Sequence, residues 1–462
     1  MRALALAAFI VVACSPPAET AHHETPDAVQ KCLRCHSVAG PGIEFNSATA
    51  PALAGLIAAD VESGRMPPWV PSPESPAYAE DFSLSATERE QVARWARAGA
   101  VFDIKPKTPA NAAVPDFVAT MPAPYTPPPP PAGDEYRCFA VPAAGSVGSY
   151  RWHLGSPRAT HHETALVISS AGLTAAQKRE GADGRPGFDC ITLPTEIEAV
   201  ANLGAAGVTP GAVVSFPPGV GATVPDGGGF LVQMHYTGAG AAGDRSALEL
   251  WRPSGPVRQM QLYALWAPVE LPCPTGVSSD PRNRCSREYA ISLSTIQTPD
   301  QVRAQADQLL AQCGTTLAAQ QAQTPFAQSV PEHWYVPTSC EGALPFDGTA
   351  WQVHGHMHTQ GATLRAELEV AGTWQPLLVI DKWRWAWEAA YTFEQPVKFK
   401  TGQRIRVRCT HDNGSKVQPS AVDGSPGYDG PAQLPLQETS YKVMGFARSN
   451  EMCEVFLGVT RD

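Results

Sequence analysis

The spacing of hydrophobic and polar positions changes along this chain. From residue 26 to about 103 the period is helical. Ser85-Ala86-Thr87-Glu88 forms a capping box, Val92, Trp95 and Ala96 follow at helical intervals, and Gly99 supplies a stop. Beyond Gly133 short β-type runs alternate with turn residues, at 165–169, 212–216, 230–236, 364–370, 404–410 and 454–460. Between the two patterns, 104–132 is rich in proline and ends in Tyr125-Thr126 followed by Pro127 to Pro131. That composition predicts an extended, semi-rigid linker holding the first unit at a distance. A second break covers 273–340, where Thr298-Pro299-Asp300-Gln301 starts an amphipathic helix ending near Cys313-Gly314. It reads as an insertion stapled by its own cysteines. The fold class expected is mainly β, with antiparallel sandwiches preceded by a small all-α unit.

Composition narrows this further. A chain of 462 residues is long enough for two to four domains, and 45 prolines with 39 glycines favour β architecture with many turns. A formal charge of −10 without a basic run argues against nucleic acid as a partner. Arg2 and the short apolar stretch 3–13 read as an export signal, and Val11-Val12-Ala13-Cys14 resembles a bacterial lipoprotein box. The expectation is a signal over 1–13, lipidation at Cys14, a tether over 14–25, and a lipid-anchored protein of the bacterial periplasm or outer membrane. An ordinary secretory signal is the alternative. No later segment is long and apolar enough to suggest a spanning helix. Of eleven cysteines, Cys14, Cys32 and Cys35 have other roles, and the even remainder in an exported chain implies disulfides.

Cys32-Leu33-Arg34-Cys35-His36 is a haem-attachment motif: two thioethers fix the porphyrin and His36 ligates iron. A redox dithiol would not need the trailing histidine. Met66, in Arg65-Met66-Pro67-Pro68-Trp69, is the candidate for the opposite axial position, with core packing as its alternative. The unit resembles a class I cytochrome c.

Two further groups of soft ligands follow: His161-His162 with His235, and His356-Met357-His358 with Met452. Imidazole suits several transition metals, whereas thioether sulfur selects Cu(I). His356 and His358 share one face of a strand, and His354 shares it too. His161 and His162 are adjacent, so both can reach one metal only if the backbone kinks there.

The order of motifs from about Asp134 to the C-terminus resembles the copper type II, ascorbate-dependent monooxygenases, typified by dopamine β-monooxygenase and peptidylglycine α-hydroxylating monooxygenase. The motifs are Tyr136-Arg137-Cys138, His161-His162, Phe216-Pro217-Pro218-Gly219-Val220-Gly221, Gln233-Met234-His235-Tyr236, His356-Met357-His358-Thr359-Gln360-Gly361 and Glu451-Met452-Cys453. The resemblance implies two jelly-roll-like sandwiches, over 133–265 and 266–462, facing across a solvent-filled cleft. His161, His162 and His235 would hold an electron-transfer copper; His356, His358 and Met452 would hold the copper that meets oxygen. The implied reaction hydroxylates an aliphatic C–H bond of a small or peptidic substrate with O₂. Two coppers and haem c are the cofactors implied, with an external donor supplying the haem, which would relay electrons in place of ascorbate. The rival reading is a non-catalytic copper-binding or electron-transfer haem protein.

The resemblance also implies the disulfides Cys138–Cys190 and Cys409–Cys453. Of the three pairings open to the other four cysteines, Cys273–Cys285 with Cys313–Cys340 is expected. The chain departs from the peptide-amidating members in three places. His354 stands where they have a carboxylate-gripping arginine, and Glu454 and Phe456 stand where they have asparagine and tyrosine. The carboxylate clamp is therefore missing, and an anionic Glu454 would repel a carboxylate if it faces the site, so a glycine-extended peptide is not expected as substrate. His354 is open to a substrate, ligand or structural role. Trp383, Trp385 and Trp387 read as a strand stripe used in packing, and His22, His23, His153, His333 and His411 as structural.

Overall fold

The computed structural model describes residues 24–37, 43–68, 70–79, 81–104, 114–128, 135–156, 159–206, 213–236, 243–274, 284–294, 296–322, 333–385, 388–414, 439–447 and 449–462. The signal stretch, Cys14, nearly all of the 14–25 tether, His22, His23, Trp69, Trp387 and the His161 side chain lie outside them. The chain is mainly β, in several largely antiparallel sheets. No described helix is long and apolar enough to cross a membrane.

Helices Val29–Cys32, Thr49–Ala52, Ala54–Glu62 and Ala86–Arg97 come first and bury Val29, Leu33, Val61, Val92, Trp95 and Ala96 in one core. The capping box is present: Glu88 N donates to Ser85 Oγ at 3.2 Å and Ser85 N to Glu88 Oε2 at 2.8 Å. Gly99, at φ +102°, ends that last helix. Residues 72–79 leave this core and run beside two strands of the C-terminal region. Ala79 N donates to Thr392 O at 2.9 Å and Glu394 N to Ala77 O at 3.0 Å along the edge of strand Ala390–Phe399, while Ser72 N donates to Val379 O at 2.8 Å in strand Thr373–Ile380 of the other sheet. The expectation of a helical unit held at a distance is therefore corrected. Backbone hydrogen bonds cover a sheet edge and fix it against the C-terminal β region.

In the N-terminal β region a five-stranded sheet runs in the order Phe188–Asp189, Glu135–Pro142, Gly229–Tyr236, Thr160–Ile168, Ala199–Ala206. A four-stranded sheet of Phe117–Thr120, Ala247–Trp251, Ser149–His153 and Val213–Ser215 shares a core with it, built on Phe139, Trp152, Val167, Phe230 and Leu248. Phe117–Thr120 lies within the stretch read as linker, so that stretch is in part sheet. Its Tyr125 is also buried, because the ring gives the apolar core a cover that a free linker lacks. Arg137, fully buried, explains the Tyr136-Arg137-Cys138 motif. Its guanidinium donates to Asp183 at 2.6 and 2.7 Å and to the carbonyls of Arg185, Pro186 and Gly187.

The C-terminal β region has two four-stranded sheets. One runs Gln261–Trp266, Cys453–Arg461, Gly348–Met357, Ala390–Phe399; the other Tyr335–Ala343, Arg404–Asp412, Gly361–Val370, Thr373–Ile380. Val353, Leu364, Leu378, Val407, Val455 and Leu457 fill the space between them. Helices Arg287–Ser292, Pro299–Gln312 and Leu317–Gln321 occupy the region read as an insertion, and Thr298 caps the second by a box with Gln301. Cys340 belongs to a sheet strand, so the insertion stops before Tyr335. The disulfides are Cys138–Cys190, Cys273–Cys285, Cys313–Cys340 and Cys409–Cys453, as expected. The tryptophan stripe is corrected: Trp383 and Trp385 lie in the loop joining Thr373–Ile380 to Ala390–Phe399.

Arg137 holds the Asp183 carboxyl well below its usual range, first through the hydrogen-bonded ion pair. A depressed carboxylate stabilises the fold above its unfolded pKa and loses that contribution as pH falls through the folded one. Asp183→Asn should therefore cost about 1–2 kcal/mol at pH 7, discounted because the carboxylate is partly exposed. The gap between variant and wild type should shrink steadily below about pH 4. Urea midpoints at pH 7 and in acid measure both; a gap that is constant with pH would contradict the assignment.

Candidate metal centres

His356 and His358 project from one face of strand Gly348–Met357 and the turn that follows, their ring centroids 5.2 Å apart. Both rings are held through Nδ1. A carbonyl can only accept, so the 3.2 Å contact of His358 Nδ1 with Asn450 O puts the proton on Nδ1 and the lone pair on Nε2. His356 Nδ1 lies 2.8 Å from Glu388 Oε2, and an ionised Glu388 would accept from Nδ1 and leave the lone pair on Nε2. Burial, and next the nearby His235, push the His356 pKa down to about 3, so the ring is neutral, as a metal ligand must be. The same burial raises Glu388 to about 7.

Met452 comes to this face through strand pairing. Met357 sits opposite Cys453 and His356 opposite Glu454, and Met452 directly precedes Cys453 in the chain. Glu451 makes that junction rigid. Fully buried, its carboxylate accepts from His358 N at 3.0 Å, Gln360 N at 2.9 Å and Met452 N at 3.2 Å. Trp383 Nε1 donates to His358 O at 3.1 Å and packs where any side chain on Gly361 would sit. Met357 and Met452 are both buried in the C-terminal core, and they lie at the ends of neighbouring strands. The Cys409–Cys453 disulfide anchors the start of the final strand.

The N-terminal pair is equally close. His235 stands opposite His162 in the five-stranded sheet, with Nδ1 of the first 3.1 Å from Nε2 of the second. That matches the edge of roughly 3.3 Å in a tetrahedron with metal–nitrogen bonds of about 2.0–2.1 Å. Tyr136 stacks on His235 at 4.0 Å and 10°. The register slips between His235 and Tyr236, which face His162 and Thr160, so His161 is the unpaired residue of a bulge. The backbone thus has the kink that adjacent ligands require. Met234 points into the core.

The two sets are not separated by a solvent-filled cleft. His162 meets His356 edge-to-face with centroids 5.7 Å apart, and Tyr136 touches Phe446 across the same boundary. His354 is buried in this cluster, stacked on Phe456 at 5.8 Å, with Nε2 3.5 Å from Glu388. Glu454 is buried opposite His356, and burial, then the Glu388 charge, raise its pKa well above the usual value.

Cys32, Cys35, His36 and Met66 line a single pocket in the helical core, with Leu53, Ile57 and Phe82 among its apolar walls. The two thiols are not disulfide-bonded. Burial pushes them up to about 12 and 11, so neither is the thiolate a redox dithiol needs. His36 Nδ1 lies 2.8 Å from Ile43 O, which again makes Nε2 the lone-pair nitrogen. A flat apolar macrocycle with one histidine ligand fits these walls.

Sequence reasoning quoted Glu451 without a role and missed Glu388 altogether. A glutamate just before the methionine was a usable signal; nothing in the local sequence marks Glu388. His411 and His333 are structural, bonded to Thr338 and Asp412. Among the described residues no group of three or more His, Cys, Asp or Glu side chains is arranged to hold a metal ion. The sets above are two histidines with a methionine, and two histidines beside His161.

Gly361→Ala should push Trp383 off the His358 carbonyl, since the added carbon would meet the indole at 2.4 Å. The expected loss is about 1–3 kcal/mol, read as a lower thermal midpoint. A variant as stable as wild type would contradict this packing.

No family model matches the chain, and no curated protein matches it. Among solved structures, an allantoicase aligns over 60% of this chain and 74% of its own, at 10% identity and TM-score 0.15. An allantoicase of Saccharomyces cerevisiae does the same over 60% and 74%, at 10% identity and 0.15. A Paenibacillus xanthan lyase aligns over 70% of this chain but 22% of its own, at 9% identity and 0.16. TM-scores this low carry no likeness of fold, so function rests on the site's own chemistry.

Proposed function

We propose that the protein is a copper-dependent monooxygenase with its own c-type haem, hydroxylating an aliphatic C–H bond with O₂. The observation that carries this reading is the pair His356 and His358, their rings 5.2 Å apart and each engaged through Nδ1, close in the strand ladder to a methionine whose amide is bonded to Glu451. Two imidazoles and a thioether favour Cu(I), which when bound there supplies the electron-rich centre that meets oxygen. The two-layered β regions fit the jelly-roll-like sandwiches of the copper type II monooxygenases, and the helical core with its thiol- and histidine-lined cavity fits a class I cytochrome c.

The chain's own residues do the rest. Glu388 and Asn450 O fix the histidine tautomers, and Glu451 sets the distance between the turn and Met452. His162 and His235 would hold the electron-transfer copper with His161, against the stacked Tyr136. His354, Phe456 and Glu454 would line the substrate side. No arginine stands there to grip a carboxylate, which disfavours a glycine-extended peptide and favours an uncharged or hydrogen-bonding substrate. One observation supports the rival carrier reading: His162 and His356 are packed too closely to admit a substrate between them. An oxygenase must open this contact.

Haem-loaded protein equilibrated with copper and freed of loose metal should retain two coppers per haem. One or none would favour the carrier. Met452→Ile should abolish substrate-dependent O₂ consumption, and a variant that still consumes O₂ with substrate would overturn the assignment of Met452. Glu388→Gln should weaken the copper of the C-terminal set by about 10–100-fold in chelator competition, while the N-terminal set keeps its affinity. Equal weakening of both would contradict the role given to Glu388.

A further inference from the structure

Three strands of the C-terminal region carry one rung whose side chains share a sheet face. Trp266 stands opposite Glu454, and Glu454 stands opposite His356. Ladder partners hold their Cβ atoms about 4.5–5.5 Å apart, so indole, carboxyl group and imidazole lie in a row. Ring contacts show independently which way this face looks. Phe446 meets Trp266 edge-on at 5.8 Å and Tyr136 at 6.3 Å, and Tyr136 is stacked on His235. At the other end of the rung His356 meets His162. The row therefore faces the N-terminal histidine set.

Two atoms of this row are left over. Trp266 Nε1 and Glu454 Oε1 are both buried, and among the described residues neither has a hydrogen-bond partner. Glu454 as a whole is only 1% exposed. An indole N–H can only donate, and buried donors and acceptors in folded proteins are matched by protein, ordered water or a ligand. Trp266 also lines a surface pocket whose other polar side chains are Gln305, Gln308, Gln312 and Glu341. That wall offers carboxamides and one carboxylate, with no Lys or Arg to draw in an anion.

We propose that Trp266 Nε1 and Glu454 Oε1 form a clamp for one uncharged substrate group that both donates and accepts, a hydroxyl or a carboxamide. This rests on the reading of the His356 set as the place of reaction. The group accepts from the indole and shares a second hydrogen bond with the carboxyl group, whichever protonation state Glu454 holds. An alkyl group leaves both atoms unmatched, and a carboxylate sets a second acid beside Glu454. Phe446 and Tyr136 suit an apolar body attached to the clamped group.

The test is proton–nitrogen correlation spectroscopy of haem-loaded protein with nitrogen-labelled indoles, the haem kept reduced. Trp266→Phe identifies the Trp266 indole proton by its disappearance. Benzamide and benzyl alcohol are the probes, with toluene and benzoate as controls of similar size. Both probes should shift that proton and toluene should not, while benzoate should bind about tenfold more weakly than benzamide. Glu454→Leu should weaken benzamide by about tenfold, whereas Glu454→Gln, which still donates and accepts, should keep the wild-type affinity. A Trp266 proton that no probe moves means that the pair holds only water, and overturns the clamp. So would a shift with toluene as large as with benzamide, benzoate binding as tight as benzamide, or benzamide affinity unchanged in Glu454→Leu. Copper retained at the His356 set with an unmoved Trp266 proton fells the clamp alone. Probes that shift Trp266 in protein unable to hold copper fell the oxygenase reading and leave the clamp standing.

Discussion

The buried carboxylate of Glu451 is the constraint on which the C-terminal site depends. It gathers three backbone amides, from His358, Gln360 and Met452, that belong to two different strand ends. Leaving any of these donors unmatched in the interior would cost about 1–3 kcal/mol, so the turn and the methionine move as one piece. Burial raises this carboxyl to about 8 and lowers nearby Lys442 to about 8. The Cys409–Cys453 bridge and Trp383 close the remaining freedom. A soft ligand set can be precise only when its supports are this stiff.

Much of this was legible in the sequence because the signals are local. Strand alternation puts His354, His356 and His358 on one face, and the capping boxes at Ser85 and Thr298 start the helices they announce. The adjacent histidines demanded a backbone kink, and a bulge stands there. What stayed illegible is long-range. Glu388 reaches His356 from 32 positions away, by way of a loop whose tryptophans look like a strand. Nothing in 72–79 resembles a sheet strand, because its partner Ala390–Phe399 supplies the order. The upward shift of Glu454 has a similar origin: it depends on burial and on Glu388, neither visible in its neighbours along the chain. Proline content likewise hid the strand Phe117–Thr120 inside an apparent linker.

The sets also share one wall rather than facing across water. His162 against His356, Tyr136 against Phe446 and Tyr78 against Tyr391 join the helical core, the C-terminal sheet and the N-terminal sheet by direct ring contacts.

The most direct test of the central claim is copper K-edge X-ray absorption on the fully reduced, copper-loaded protein. The account predicts imidazole nitrogen scatterers together with a sulfur scatterer that disappears in Met452→Ile. A spectrum without sulfur, or one whose sulfur survives that substitution, would contradict the assignment of His356, His358 and Met452 as a copper site.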